Sequence, residues 1–183
     1  MTDRPVLTRD RILDAALALA DDEGLAAVGM RAVALRLGVT PMALYRYVAD
    51  KEALLDGLVE RLLGEVEVPS PELPPVDRLL APAVALRAVA RRHPAAFGLL
   101  LARRAVTPGS RRARDAVLAA LAEAGVPEDD VPRLERVLST FVIGFAASEA
   151  SGRFADLARA DDDFAYAVRL LLALLPHRPP GGG

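Results

Sequence analysis

Three basic and two phenolic side chains within residues 31–51 have the chemistry needed to bind nucleic acid: Arg31, Arg46, Lys51, Tyr45 and Tyr47. Arginine and lysine pair with phosphates, arginine also reads the edge of guanine, and a phenol hydroxyl donates to a phosphate oxygen. These groups recognise double-stranded DNA only where a helix presents them to a groove. The elements around them therefore decide whether they act together.

Residues 30–51 predict a helix-turn-helix. The first helix is expected to end at Gly38, which supplies a left-handed residue. Thr40 is predicted to cap the second helix, and Pro41 suits its first position because no N–H is needed there. This second helix is predicted to run from Thr40 to about Tyr47.

The second helix carries polar ends among positions that suit a core. Arg46 and Tyr47 lie between the apolar residues Leu44 and Val48. The helix is therefore poorly suited to complete burial, and its polar side is expected to enter a groove of DNA. The alternative is an ordinary helical hairpin in which Tyr45 and Tyr47 pack in a core.

The composition indicates a globular protein. The chain has 183 residues, 52% of them hydrophobic, which is enough to bury a core. The absence of cysteine excludes a disulfide framework and thiolate metal sites. The first residues do not resemble a signal peptide, and the apolar runs at 141–147 and 170–175 are too short to span a membrane. We therefore expect a cytoplasmic protein with no membrane partner.

The charge is unevenly distributed. The net charge is −2, which is unusual for a protein dedicated to nucleic acid. Residues 30–51 nevertheless carry four basic residues against one acidic residue, a local net charge of +3. Because phosphate neutralisation supplies most of the affinity for non-specific DNA, we expect that affinity to be weak and steeply salt-dependent.

Apolar residues recur at helical spacing along the whole chain, so the predicted fold class is all-α. Helices are predicted near residues 9–23, 30–37, 40–47, 51–64, 76–92, 111–124, 132–152 and 162–175, with a short apolar segment at 94–104. Thr8 and Asp50 are predicted caps, and Gly24 is a predicted stop. The acidic run 161–163 is predicted to form the cap and first turn of the last helix, where acids suit the helix dipole. Pro82 is compatible with its helix only if the helix starts late or bends there.

Two segments of this chain resemble the tetracycline-repressor (TetR) family of bacterial regulators. Residues 37–48, Leu-Gly-Val-Thr-Pro-Met-Ala-Leu-Tyr-Arg-Tyr-Val, with Asp-Lys-Glu at 50–52, resemble the family's recognition helix and the start of its fourth helix. Residues 86–94, 121–126 and 141–149 resemble the effector domain of the tetracycline repressor's own branch. The resemblance implies an all-helical homodimeric repressor that binds a roughly palindromic DNA operator and is released by a small-molecule effector.

The proline-dense stretch at 68–75 is the predicted domain junction. With the resemblance, it divides the chain into a helix-turn-helix domain (1–67), a larger helical effector-binding and dimerisation domain (68–176) and a disordered tail (177–183). No cofactor is predicted. No motif for catalysis or phosphate binding occurs, so no catalytic residue is assigned.

The resemblance also implies roles for single residues. Pro41, Met42 and Ala43 match base-reading positions, and Arg31 matches a position that reaches a base edge. Tyr45, Tyr47 and Lys51 match phosphate contacts. The predicted DNA-binding residues are Arg31, Thr40, Pro41, Met42, Ala43, Tyr45, Arg46, Tyr47 and Lys51.

Two departures from the family pattern affect these roles. Gly29 stands where many relatives have a Ser or Thr that caps the helix and touches phosphate. The side chains of Pro41, Met42 and Ala43 cannot donate hydrogen bonds, which leaves apolar contact with thymine methyl groups. Sequence specificity is therefore expected to depend on arginines and on DNA shape.

The second half of the chain offers a ligand pocket. The predicted ligand-binding residues are Arg87, His93, Phe97, Leu101, Arg104, Phe141, Phe145 and Glu149, with Leu100, Phe154 and Phe164 as further candidates. The alternatives are ordinary core packing for the apolar members and an exposed helix cap for His93. No metal site is predicted, because cysteine is absent and no second histidine is near His93. Five arginines between residues 103 and 114 either bind an anionic effector or form a solvated face.

Small residues on the long helix near its middle suit close helix packing. Gly144 and Ala147, with Leu171 and Leu174 of the last helix, are the predicted dimer interface. The alternative is close packing of these residues inside one subunit. As a whole, the sequence predicts a ligand-responsive repressor, and the alternative function is a helical small-molecule binding protein without operator recognition.

Overall fold

The computed structural model describes residues 6–104, 107–154, 159–173 and 175, and in this part of the chain it contains ten α-helices and no β-strand. The helices are α1 (Arg9–Glu23), α2 (Met30–Leu37), α3 (Pro41–Leu44), α4 (Lys51–Gly64), α5 (Pro75–Arg92), α6 (Pro94–Phe97), α7 (Leu99–Ala102), α8 (Pro108–Glu123), α9 (Val131–Ala150) and α10 (Ala160–Leu172). A single 3-10 turn, Leu25–Ala27, follows α1. The predicted all-α class is confirmed. No helix in the described ranges is long and apolar enough to cross a bilayer.

Local capping sets the ends of the N-terminal helices. The Thr8 hydroxyl accepts a hydrogen bond from the Arg11 backbone N–H at 3.3 Å, and the Asp50 carboxylate accepts one from the Ala53 N–H at 2.8 Å. Gly24 ends α1 at φ 86°, and Gly38 ends α2 in the left-handed conformation at φ 65°. These four predicted helix ends are confirmed.

Other predicted ends differ from the structure. α3 ends at Leu44, and residues 45–47 form turns. The backbone N–H groups of Tyr47 and Val48 both donate to the Leu44 carbonyl. Thr40 occupies the N-cap of α3, but its side chain makes no capping hydrogen bond. The acidic run 161–163 lies in the first turn of α10 as predicted, but it does not provide the cap, because Arg159 occupies that position.

The central proline of α5 does not delay the helix. α5 begins at Pro75 and contains Pro82 in its interior. Because proline has no backbone N–H, the Arg78 carbonyl lacks the hydrogen bond that residue 82 would otherwise donate to it. The segment at 94–104 consists of two one-turn helices, α6 and α7. The predicted tail, 177–183, lies outside the described residues.

One apolar core joins the two halves of the chain. Residues of α1, α2 and α4 pack around Leu44, and the same core continues through Val89 of α5, Phe97 of α6 and Ala146 of α9. Two smaller apolar clusters lie between α5, α8, α9 and α10. α4 therefore packs against α1 on one side and against the C-terminal helices α6, α7 and α8 on the other. The boundary near residue 67 stays a prediction.

Candidate DNA-binding face and ligand cavity

The α2–α3 unit is anchored from inside and presents side chains outward. Leu44 is fully buried and Val48 is buried, so they fix α3 and its following turn to the N-terminal core. Met42, Tyr45 and Tyr47 are 74%, 49% and 42% exposed. The two tyrosines therefore do not pack in a core, and the helical-hairpin alternative is wrong on this point.

The cations of this face lack protein partners. Within the described part of the chain, no carboxylate pairs with Arg31, Arg46 or Lys51, and all three are exposed. Three other arginines of the N-terminal helices are neutralised in ion pairs: Arg9 with Glu60, Arg36 with Asp22, and Arg61 with Asp14. The uncompensated positive charge is thus concentrated on one surface, which an anionic polymer would contact.

The predicted DNA-binding residues occupy one short stretch of surface. Thr40 and Pro41 are exposed at the start of α3, Ala43 is half-buried beside them, and Arg31 lies in the first turn of α2. Gly29 forms the N-cap of α2 without any side-chain bond, as expected for glycine. The roles that the resemblance implies for these side chains stay predictions.

A cavity of about 410 Å³ lies between α4, α5, α8, α9 and α10. This volume is within the range of small-molecule sites. Most of its wall is apolar, from Val59 and Leu63 of α4 to Phe141 and Val142 of α9. Its charged lining residues are Arg103, Arg104, Arg114, Glu135 and Arg136.

The predicted ligand-binding residues do not lie at one place. Arg104 and Phe141 line the cavity. Phe97 is fully buried in the shared core, and Leu101 is 62% exposed outside the cavity wall. Of the remaining four, Arg87, Glu149 and His93 belong to two ion-pair clusters that sequence patterns did not reveal. Phe145 lies against the Arg87 guanidinium.

The first cluster is built on Arg87 of α5 and Glu149 of α9, both buried. The Arg87 guanidinium donates to Glu149 from Nε at 2.7 Å and from Nη2 at 2.8 Å. Arg91 and Asp161 complete the network. The Arg87 guanidinium also lies 4.7 Å from the Phe164 ring centre and 5.5 Å from that of Phe145, which suits a cation–π contact.

This network holds both acids in their charged form. Burial alone would raise the pKa of Glu149, but hydrogen bonds from Arg87 and Arg91 outweigh burial and lower it. The hydrogen bond from Arg91 lowers the pKa of Asp161. With its polar atoms engaged inside the protein, the Arg87–Glu149 pair ties α5 to α9.

The second cluster is built on His93, between α5 and α6. Its Nδ1 lies 2.8 Å from an Asp21 carboxylate oxygen of α1, and its Nε2 lies 3.0 Å from a Glu65 carboxylate oxygen after α4. The expected alternative of an exposed cap is wrong, because His93 is buried. It joins the C-terminal helices to the N-terminal ones. Asp21 is 72 positions away in sequence, so no local pattern indicates the contact.

Arg103, just after α7, also connects the two halves. Its guanidinium pairs with Glu52, donates to the Glu52 carbonyl at 3.3 Å, and donates to Asp56 at 2.5 Å. Hydrogen bonds to Glu52 and then to Asp56 raise the pKa of Arg103. Both acids belong to the first half of α4, next to Lys51. Arg103 therefore links the cavity wall to the helix that begins beside the candidate DNA-binding face.

Two protein-family models match this chain, one in each half. The model described as "Bacterial regulatory proteins, tetR family" matches residues 12–58, and the model described as "Tetracyclin repressor-like, C-terminal domain" matches residues 79–171. The chain belongs to the TetR family. The helix-turn-helix and the cavity-bearing helices of this TetR-family chain coincide with the two matched regions.

Individual TetR-family proteins support the assignment over most of the chain. An "HTH-type transcriptional regulator" of Saccharopolyspora erythraea is 35% identical over 84% of this chain, which spans 65% of that relative's length. The Streptomyces coelicolor TetR family protein ActR, solved with (S)-DNPA, has 25% identity and a TM-score of 0.81, with 91% of this chain and 96% of ActR covered. BioQ, solved with its double-stranded DNA operator, has 27% identity and a TM-score of 0.74, with 92% and 97% covered.

The predicted dimer residues of this TetR-family chain have different surroundings. A Cβ built on Gly144 meets no atom within 4 Å, so this point of α9 faces open space. Ala147 is partly buried against the shared core, and Leu171 lines the cavity. Leu174 lies outside the described residues. Large apolar side chains are nevertheless exposed on the same two helices, namely Val137 on α9 and Tyr166 and Leu170 on α10.

Proposed function

We propose that this TetR-family chain is a repressor that binds a roughly palindromic DNA operator as a homodimer and is released by a small molecule in the cavity. The observation that carries the proposal is the placement of α4. Lys51 begins α4 beside the DNA-facing surface, whereas Val59 and Leu63 of the same helix line the cavity. A ligand that repositions the cavity end of α4 would therefore move the end that meets DNA.

The proposed DNA contacts follow from the exposed face. The α3 side chains Met42 and Ala43 would enter the major groove, with thymine methyl groups as their apolar partners. Arg31 and Arg46 would reach base edges or phosphates, and Tyr45, Tyr47 and Lys51 would contact the backbone. Such a regulator would act in the bacterial cytoplasm, where its DNA lies, and would need no catalytic activity.

The proposed dimer uses α9 and α10. Gly144 allows close approach on α9, and the exposed Val137, Tyr166 and Leu170 offer apolar area on the same helices. Two subunits related by a twofold axis would present two copies of α3 to half-sites about one helical turn apart, or somewhat more. An inverted repeat in the operator would mirror that symmetry.

The direct test selects binding sites from random double-stranded DNA and then measures affinity by fluorescence anisotropy at several salt concentrations. We expect one discrete inverted repeat. Lys51→Ala should flatten the dependence of log K on log salt by about one unit for each subunit bound, because one phosphate contact is lost per subunit. Arg36→Ala is the matched control: Arg36 already pairs with Asp22, so its removal should leave the slope unchanged.

The ligand part of the proposal is tested on the selected operator. A compound that fills the cavity should lower operator affinity, since it favours the state of α4 that it binds better. Failure to select any site at low salt would instead favour the helical small-molecule binding protein without operator recognition. If a site is selected but no cavity ligand changes its affinity, the proposed release by a ligand would be disproved, and the proposed operator binding would stand.

A further inference from the structure

Arg103 belongs to two sites at once. It lines the cavity, and its guanidinium also holds Glu52 and Asp56 in the first half of α4. Glu52 is exposed and Asp56 is half-buried. Ion pairs with such acids are weakened, because water competes for their carboxylates. The hold of Arg103 on α4 is therefore one that another anion can break.

The charged lining of the cavity has a strong excess of positive charge. It contains four arginines, at positions 103, 104, 114 and 136, and one acid, Glu135. Glu135 is buried and pairs with Arg114 at 3.1 Å. Within the described ranges, no carboxylate pairs with Arg104 or Arg136. The remaining wall is largely apolar, so the cavity offers an apolar space bordered by uncompensated cations.

We propose that the cavity takes an amphipathic anion, whose acidic group draws Arg103 away from Glu52 and Asp56 and thereby loosens the first half of α4. This inference rests on the proposed function in treating the cavity as the ligand site. The apolar body of the ligand would occupy the space between α4, α5 and α9. Its carboxylate, sulfonate or similar group would be held by arginine, which pairs well with such anions.

The mechanism follows from a competition for one guanidinium. While Arg103 faces α4, Glu52 and Asp56 have a cationic partner next to Lys51. An anion in the cavity binds better to the state in which Arg103 faces inward, and it shifts the equilibrium by that difference in affinity. Glu52 and Asp56 then carry uncompensated negative charge beside the proposed phosphate contact, which opposes DNA binding.

The ligand class is tested with two fluorescent probes of nearly the same aromatic body. One is the anion 8-anilinonaphthalene-1-sulfonate, and the other is neutral N-phenyl-1-naphthylamine, which lacks the sulfonate. We expect the anion to bind the full chain at least about tenfold more tightly, as one good charge-assisted contact predicts. Ser139→Trp, which fills the cavity from α9, should abolish the signal while circular dichroism stays unchanged.

The role of Arg103 is tested by hydrogen exchange at the amides of residues 54–60, with and without saturating anion. In the wild type we expect the anion to speed exchange about tenfold, a typical coupling between sites. In Arg103→Gln, exchange should already be fast without probe and should not rise further. Arg9→Gln is the matched control: it removes another α4 ion pair, with Glu60, outside the cavity wall, so its response to the anion should persist.

Several outcomes would overturn the inference: equal affinity for the two probes, binding of the anion to Ser139→Trp, or a wild-type response of Arg103→Gln to the anion. None of these readouts uses DNA. Failure of the proposed operator binding would therefore leave this test intact, and failure of this test would leave operator binding standing.

Discussion

At the scale of single residues, charge pairing separates side chains that hold the fold from those free to bind. Arg87, Arg9 and Arg36 are engaged by carboxylates of the same chain, whereas no carboxylate among the described residues pairs with Arg31 or Arg46. The sequence alone does not reveal this division, because the partners lie far apart. Arg87 and Glu149, for example, are 62 positions apart.

The buried pair of Arg87 and Glu149 gives a prediction for stability. Glu149→Gln should lower the free energy of unfolding at neutral pH by about 3 kcal/mol, because it leaves a buried guanidinium short of a partner. The folded-state pKa of Glu149 is lowered, so its contribution is complete above the ordinary value of 4.5 and is lost as pH falls below it. Urea unfolding at a series of pH values measures this.

The control for this prediction is Glu128→Gln, an exposed carboxylate before α9, which should change stability by less than about 0.5 kcal/mol. A difference between wild type and Glu149→Gln that stayed constant down to strongly acidic pH would contradict the assignment of that stability to the carboxylate. It would indicate a packing effect of the amide instead.

At the scale of elements, the helix ends set by local chemistry were predictable and those set by packing were not. Thr8, Gly24, Gly38 and Asp50 act on neighbouring backbone groups, so their sequence context sufficed. The short length of α3 depends instead on Leu44 docking in the N-terminal core. The distinction between core and cavity wall is likewise a matter of packing, which is why Phe97 and Phe141 looked equivalent in the sequence.

The tight packing of Gly57 of α4 against Leu13 of α1 gives a prediction for stability. A Cβ on Gly57 would overlap Leu13 Cδ2, and Leu13 is fully buried, so its side chain has little room to move. Gly57→Ala should therefore destabilise the fold by about 1–2 kcal/mol, because overpacking exceeds the gain in helix propensity. Thermal unfolding measures the change.

The matched substitution on the same helix is Gly64→Ala, where a Cβ meets no atom within 4 Å. It should raise stability by about 0.5 kcal/mol through helix propensity alone. If Gly57→Ala proved as stabilising as Gly64→Ala, the tight contact between α1 and α4 would be disproved. Recovery of stability in the double variant Leu13→Ala, Gly57→Ala relative to Leu13→Ala would support it.

At the scale of the whole molecule, one core spans both halves, and polar contacts reinforce the junction. Among them are those of His93 with Asp21 and Glu65 and those of Arg103 with Glu52 and Asp56. The family and fold class were predictable because the helix-turn-helix pattern is contiguous. The junction contacts were not, since each joins distant segments. α4 packs between α1 and the C-terminal helices, which is the placement that the proposed release by a ligand requires.

The proposed homodimer gives a prediction at this scale. Gly144→Arg should raise the dimer dissociation constant at least about a hundredfold, because an unpaired charge would be buried in the α9 and α10 interface. The fold of the subunit should persist, since a Cβ at Gly144 meets nothing within 4 Å. Analytical ultracentrifugation measures the change, with Gly64→Arg as the control. An unchanged dissociation constant would place the interface elsewhere.

The most direct test of the account compares three proteins on the selected inverted repeat by fluorescence anisotropy: wild type, Arg46→Ala and Arg36→Ala. Arg46 is exposed after α3 and has no carboxylate partner in the described part of the chain, whereas Arg36 is exposed on α2 and paired with Asp22. Arg46→Ala should weaken operator binding at least about tenfold, because a groove contact is lost, and Arg36→Ala should weaken it less than about twofold. Equal effects of the two substitutions, or no operator binding by the wild type, would contradict the account.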